Sequence, residues 1–307
     1  MRTTILLLAT ALSLAACGAE TSDDATTSPA ATPSAAAGVA ADGPFPSTEP
    51  AVGGDPALTF PDGDPGPGLQ RQVLTEGEGD VVEAGDLLVA DYLGQVWGGE
   101  VFDGSFDGDP AAFSIGTGSV IQGWDSGLVG QTVGSRVLLT IPPDLGYGDA
   151  GNPAAGIGGT DTIVFVVDLL GSYGPEDAGD PGASATDTET GPTVAGDLGG
   201  PATVEVPAGT PEPAETRTTV LATGTGEPVV AGGIVVQYAV ALWDNSSTGS
   251  TWDSSGPEAV GVGDGGEFDS LIGVPVGSRV LLEFPSTGED SPAVAAVVDV
   301  VDQFDQS

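Results

Sequence analysis

The chain has 307 residues with five arginines, no histidine and 45 acidic residues, for a net charge of −40. No basic patch can be assembled to neutralise phosphates, which excludes nucleic-acid binding, and an anionic membrane surface would repel such a chain. Without histidine there is no imidazole acid–base or metal chemistry, and with one cysteine there is no intramolecular disulfide or thiolate zinc site.

Glycine (50) and proline (25) gather in a few stretches, which predicts folded islands joined by flexible chain. At the N-terminus, Met1 and Arg2 give a minimal positive region, and residues 5–14 form an apolar run too short to span a bilayer. Leu14-Ala15-Ala16-Cys17 follows at once. This resembles a bacterial lipoprotein signal. The resemblance implies that residues 1–16 are removed and that Cys17 is lipidated. The chain would then be exported and anchored to the outer face of the cell membrane by lipid alone. Residues 17–55 have no apolar period and read as a disordered tether; residues 174–200 read as an interdomain linker.

Between them, residues 56–173 carry strand signals at 69–74, 86–97, 112–115, 136–141 and 162–170, each closed by glycine or proline or rich in β-branched residues. Only 121–129 has helical character, with Trp124, Leu128 and Val129 near one face. An antiparallel sheet with an apolar face needs a covering element, so the single short helix is expected to lie across it. The fold class is α+β.

The motifs in this stretch run Asp91-Tyr92-Leu-Gly, Val101-Phe102-Asp103-Gly-Ser, Phe113-Ser-Ile-Gly, Val120-Ile121-Gln-Gly-Trp124, Val133-Gly-Ser, Pro143-Asp-Leu-Gly-Tyr147-Gly and Val164-Phe165-Val-Val-Asp. Their order and spacing resemble an FKBP-type peptidyl-prolyl isomerase over residues 68–173. The resemblance implies a Trp124 floor under a substrate proline, with walls from Tyr92, Phe102, Phe113, Val120, Ile121, Ile157 and Phe165. It further implies that the Ile121 backbone N–H and the Tyr147 hydroxyl bond substrate backbone. Asp103 would accept a hydrogen bond from Tyr92. No cofactor and no metal is implied: Asp103, Ser105, Asp107 and Gly108 mimic the start of a calcium loop, but Ser114 stands where a bidentate glutamate is needed. The chain departs from the family at Ala111, where an aromatic is usual, and at Leu145, Asn152 and the glycine-rich 152–160 loop, so a wider pocket with a softer lip is expected.

Residues 201–307 echo the first island: Val220-Leu-Ala-Thr-Gly-Thr-Gly follows Val73-Leu-Thr-Glu-Gly-Glu-Gly, and Val236-Gln-Tyr238 follows Ala90-Asp-Tyr92. Trp252-Asp253-Ser-Ser is matched to Phe102-Asp103-Gly-Ser, and Phe268-Asp to Trp124-Asp. The Tyr147 counterpart is missing and Ala296 stands for Phe165, so a second, degenerate FKBP-like domain is expected, each domain being a sheet wrapped on one short helix. The function implied is isomerisation of Xaa–Pro bonds in unfolded or exported polypeptides by a monomeric protein. The alternative is a lipid-anchored chaperone that binds proline segments with little turnover.

Overall fold

The computed structural model describes residues 39–40, 43–49, 54–186, 191–288 and 291–304. The expected export signal, Cys17 and the expected tether up to residue 38 lie outside the described residues.

The chain opens with a hairpin of strands β1 (Ser47–Glu49) and β2 (Ala57–Thr59). Then come β3 (Gln70–Thr75), β4 (Leu87–Val96), β5 (Val101–Gly104), β6 (Ala111–Ser114), helix α1 (Gln122–Leu128), β7 (Arg136–Ile141) and β8 (Ile163–Tyr173). The six strands β3 to β8 form one antiparallel sheet in the order β3-β7-β8-β4-β5, with β6 also paired to β4. All six residues of β7 are buried, because it is an inner strand covered on both faces. On one face, α1 packs Trp124 and Leu128 against Leu139, Ile141 and Phe165. A Cβ on Gly123 would come within 2.5 Å of the Ile141 side chain, so glycine there lets the helix backbone lie directly on the sheet. The other face, Leu138, Val164 and Val166, is covered by Phe45, Leu58 and Phe60 from the opening hairpin and its flanks. Residues 43–49, expected in a disordered tether, are thus a packed layer. Three-residue strands have no period from which the sequence could announce them.

The remaining strands are β9 (Ser184–Ala185), β10 (Thr193–Ala195), β11 (Thr203–Glu205), β12 (Arg217–Thr223), β13 (Gly232–Leu242), β14 (Thr248–Ser250), β15 (Glu258–Val262), β16 (Arg279–Phe284) and β17 (Val294–Phe304). Their main sheet runs β14-β13-β17-β16-β12-β9, with β15 also paired to β13. Strand for strand, β12 to β17 repeat the path of β3 to β8. The hairpin β10-β11 covers this sheet's outer face through Val204 and Val206, as β1-β2 covers the first. The expected linker is therefore structured where it is described: β9 extends the second sheet by pairing with β12, and β10 belongs to the covering hairpin. The inner face differs. Where the first half has α1, the second has only a 3-10 turn, Asp269–Leu271, so the expected helix of the second half is absent.

Hydrogen bonds fix the register of the repeat. The Tyr92 N–H donates to the Ser105 hydroxyl at 3.0 Å and the Tyr238 N–H to Thr251 at 2.9 Å. Thr251 therefore stands for Ser105, Gly249 for Asp103, and Trp252 for Phe106. The sequence match of Trp252-Asp253 to Phe102-Asp103 is out by four residues. Glu258, paired with Val236 as Ala111 is with Ala90, stands at the Ala111 position.

Each hairpin is held by the same buried ion pair. Arg136 makes a bidentate pair with Asp168 and donates from Nη2 to the Gly54 carbonyl at 3.0 Å. Arg279 pairs with Asp299 and donates to the Gly200 carbonyl at 2.7 Å. Two of the chain's five arginines serve this one purpose. The Arg279 and Asp299 side chains are 3% and 1% exposed, whereas Asp168 is 22% exposed. Removing one partner of a buried pair strands a charge, at about 3–5 kcal/mol. Asp299→Asn should lower the unfolding free energy by about that much and by more than Asp168→Asn, as read by urea unfolding; equal small losses would contradict the clamp.

Candidate active site

The inner face of the first sheet holds a cavity of about 360 Å³. Its floor and back are Trp124, Phe165 and Phe113, and its sides are Tyr92, Val120, Ile121 and Tyr147, with Asp103 and Ser119 at the rim of the lining. β4 supplies Tyr92, β5 Asp103, β6 Phe113, α1 Trp124 and β8 Phe165. Val120 and Ile121 come from the turn into α1. Asp125 sets that turn by accepting the Gly116 N–H at 2.7 Å and the Gly118 N–H at 2.9 Å.

The rings form one edge-to-face cage. Trp124 lies 5.0 Å from Phe113, 5.2 Å from Phe165 and 5.5 Å from Tyr92 by ring centroid, at interplanar angles of 71 to 85°. Such pairs contribute about 0.5–1.5 kcal/mol each beyond area burial and fix ring orientation. Gly94 makes room: a Cβ there would fall within 2.8 Å of both the Phe102 and Phe165 rings. Trp124 is 3% exposed, and its indole N–H has no acceptor among the described residues.

The polar groups are few. The Tyr92 hydroxyl donates to Asp103 Oδ2 at 2.8 Å, while Asp103 Oδ1 accepts the Gly104 N–H at 2.9 Å. Ile121 caps α1 in an extended conformation, and its N–H has no intramolecular acceptor among the described residues, as expected of a helix start. Tyr147 sits between two 3-10 turns, Pro143–Leu145 and Gly148–Ala150. No hydrogen bond to its hydroxyl forms among the described residues. The cavity thus combines apolar walls with a backbone donor and a hydroxyl that have no partner among the described residues, and with one tyrosine–aspartate hydrogen bond at its side.

Of the residues expected to build the site, Tyr92, Asp103, Phe113, Val120, Ile121, Trp124, Tyr147 and Phe165 share this cavity. Phe102 and Ile157 are not in its lining. Phe102 stands behind Phe165 at 5.6 Å, and Ile157 is 2% exposed within the core. Ser119 was not anticipated; its place directly before Val120 and Ile121 was the available signal. Among the described residues no cluster of metal-ligating side chains occurs.

Comparison with known proteins bears on this geometry. The family model described as FKBP-type peptidyl-prolyl cis-trans isomerase matches residues 79–170. An FK506-binding protein of Streptomyces anulatus is 41% identical over 117 residues, covering 38% of this chain and 94% of that protein. The chain belongs to the FKBP-type peptidyl-prolyl cis-trans isomerase family. FK506-binding protein 1A of Aspergillus fumigatus is 41% identical over 106 residues, 34% of this chain and 94% of the relative. A peptidyl-prolyl cis-trans isomerase of Schizosaccharomyces pombe is 40% identical over 105 residues, 34% of this chain and 93% of that protein. The residues matched by the family model lie in the first half.

Within this FKBP-type domain and beyond it, three tyrosines hold their protons firmly. Tyr92, Tyr173 and Tyr238 are each raised above the ordinary phenol pKa, first by burial and then by a carboxylate partner: Asp103, Asp302 and Glu258 respectively. A phenol whose folded pKa is raised stabilises the fold below its unfolded pKa of about 10, and that contribution is lost as pH rises beyond it. The urea midpoint should therefore fall above about pH 10, and Tyr92→Phe should make the fall shallower. An unchanged slope in that variant would contradict the assignment.

Proposed function

We propose that the first half isomerises Xaa–Pro bonds in unfolded, exported polypeptides by binding the twisted amide in the Trp124 cavity. The observation that carries this is the convergence of Tyr92, Trp124, Tyr147 and Phe165 on one hollow beside the Ile121 N–H. An amide is planar because resonance holds it, with a barrier of about 18–20 kcal/mol. Rotation removes the resonance, so the lone pair returns to the prolyl nitrogen and the carbonyl oxygen gives up negative charge. A dry, apolar hollow strips water from the planar amide, whose dipole water favours, and does so at less cost to the twisted one. Fixed donors then favour the rotated geometry without reorganising. In this reading Trp124 supports the pyrrolidine ring, Tyr92, Phe113 and Phe165 enclose it, and the Ile121 N–H and Tyr147 hydroxyl bond the substrate backbone. The Tyr92–Asp103 hydrogen bond holds the side wall. No bond is broken, so no proton-transfer residue is required.

The second half reads as a degenerate copy without turnover. Its sheet path, covering hairpin and arginine clamp repeat the first, which supports duplication. Its pocket residues do not: Phe268 stands for Trp124, Gly249 for Asp103 and Ala296 for Phe165. The connection between the last two strands has nine residues, 285–293, against twenty-one, 142–162, which removes any Tyr147 counterpart. Glu258 takes the Tyr238 hydroxyl at 2.9 Å, placing a carboxylate where the first half has Ala111.

A protease-coupled assay on an Ala-Leu-Pro-Phe peptide tests the reading. Phe165→Leu and Tyr147→Phe in the full chain should each lower kcat/KM by about tenfold, the equivalent of ~1.4 kcal/mol, with the far-UV spectrum unchanged. Phe268→Leu should leave the rate as it was. Equal rates for wild type and the first two variants would support the chaperone alternative.

Residues 1–17 support export and lipid anchoring at the cell membrane, from which the folded part acts. Cys17→Ser should move the protein from the membrane to the soluble fraction on cell fractionation; retention in the membrane would contradict the anchor.

A further inference from the structure

We infer that the cavity selects prolyl segments by charge, accepting those with basic or neutral residues beside the proline and rejecting acidic ones. This rests on the isomerase reading and names its substrate class. Nearly every segment that builds the cavity wall brings a carboxylate with it. Asp103 is in the wall itself. Asp107 and Asp109 lie on the connection that leads to Phe113, and Asp144 and Asp149 flank Tyr147. These last four are exposed and make no ion pair among the described residues.

The cations of this half are engaged elsewhere, Arg136 lying over the Phe106 ring at 5.4 Å but committed to its own carboxylate. Residues 54–186 contain two cations, Arg71 and Arg136, and the chain has no histidine. Arg71 donates to the Gly127 carbonyl at 3.0 Å, on the far end of α1, and Arg136 is held in the Asp168 clamp. An acidic substrate side chain would meet the Asp103 carboxylate in the wall and the field of the four aspartates on the adjoining segments, whereas a lysine or arginine would be drawn in. Ile121, in the lining, has a backbone N–H without an acceptor among the described residues, and it calls for a backbone carbonyl, not for a charged side chain. A low-dielectric cleft lined by one sign of charge focuses its field and changes encounter rates by about 10- to 1,000-fold, an effect that salt removes.

Three peptides test the inference: the same Leu-Pro core flanked on both sides by lysine, by glutamine or by glutamate. Isomerisation by the full chain is followed by NMR line shape, which needs no auxiliary protease. In low salt the lysine peptide should exceed the glutamate peptide by about tenfold in kcat/KM, through KM more than kcat. At about 0.5 M salt the ratio should shrink to roughly twofold or less. Replacing Asp107, Asp109, Asp144 and Asp149 by asparagine together should narrow the low-salt ratio and leave the glutamine peptide's rate unchanged. Turnover of all three peptides at equal rates, or a ratio untouched by salt or by the four replacements, would overturn charge selection and leave the isomerase reading standing. Turnover of none would overturn both.

Discussion

A seven-residue helix has to hold an indole, 3% exposed, in the wall of the cavity. Everything else in the first half serves that constraint. A helix of two turns is not stable alone, because nucleation is costly and few hydrogen bonds follow it. The sheet therefore supplies its stability, through Ile141 and Leu139 beneath Gly123 and Gly127, where any side chain would lift the helix off. Once seated, Trp124 is locked from three sides by Tyr92, Phe113 and Phe165. The outer hairpin acts on the same constraint from behind: covering Leu138, Val164 and Val166 buries both faces of the strands that carry the pocket.

The repeat shows which parts of this design are separable. In the second half the arginine clamp, the covering hairpin, the sheet order and the carboxylate that ties the glycine turn all persist. Asp269 accepts the Gly263 and Gly265 N–H groups at 2.6 and 2.9 Å, as Asp125 does for Gly116 and Gly118. What has gone is the aromatic cage and the long loop that would close it. Backbone and buried-charge contacts cannot be lost singly without leaving unsatisfied groups, whereas one apolar side chain can replace another without stranding a polar group. The halves also touch: Val89, Tyr173 and Val235 are buried together, and the Tyr173 hydroxyl donates to Asp302 at 2.9 Å.

Much of this was legible in the residues. The strands 69–74, 86–97, 112–115, 136–141 and 162–170 and the helix 121–129 lie within a few residues of the observed elements, because their apolar pattern and glycine or proline stops are local signals. Eight of the expected pocket residues share the cavity for the same reason: their motifs are contiguous. Phe102 and Ile157 do not, since facing a cavity and backing one look alike in a strand or loop. The hairpins were missed because strands of three residues amid glycine and proline have the composition of a linker. Their anchoring depends on arginines more than 75 residues away, which no local pattern shows. The repeat was misaligned at Trp252 because an aromatic–aspartate pair is a weak marker, while the serine or threonine that bonds the tyrosine N–H is the fixed point.

The account's central claim is that rotation of the amide is promoted by a desolvated ring cage with fixed donors and without proton transfer. The solvent deuterium isotope effect on kcat/KM of the full chain, taken across about pH 6 to 9, tests it most directly. The account predicts an isotope effect near unity and a flat pH profile. A substantial normal isotope effect, or a bell-shaped profile, would show a proton in flight at the transition state and contradict it.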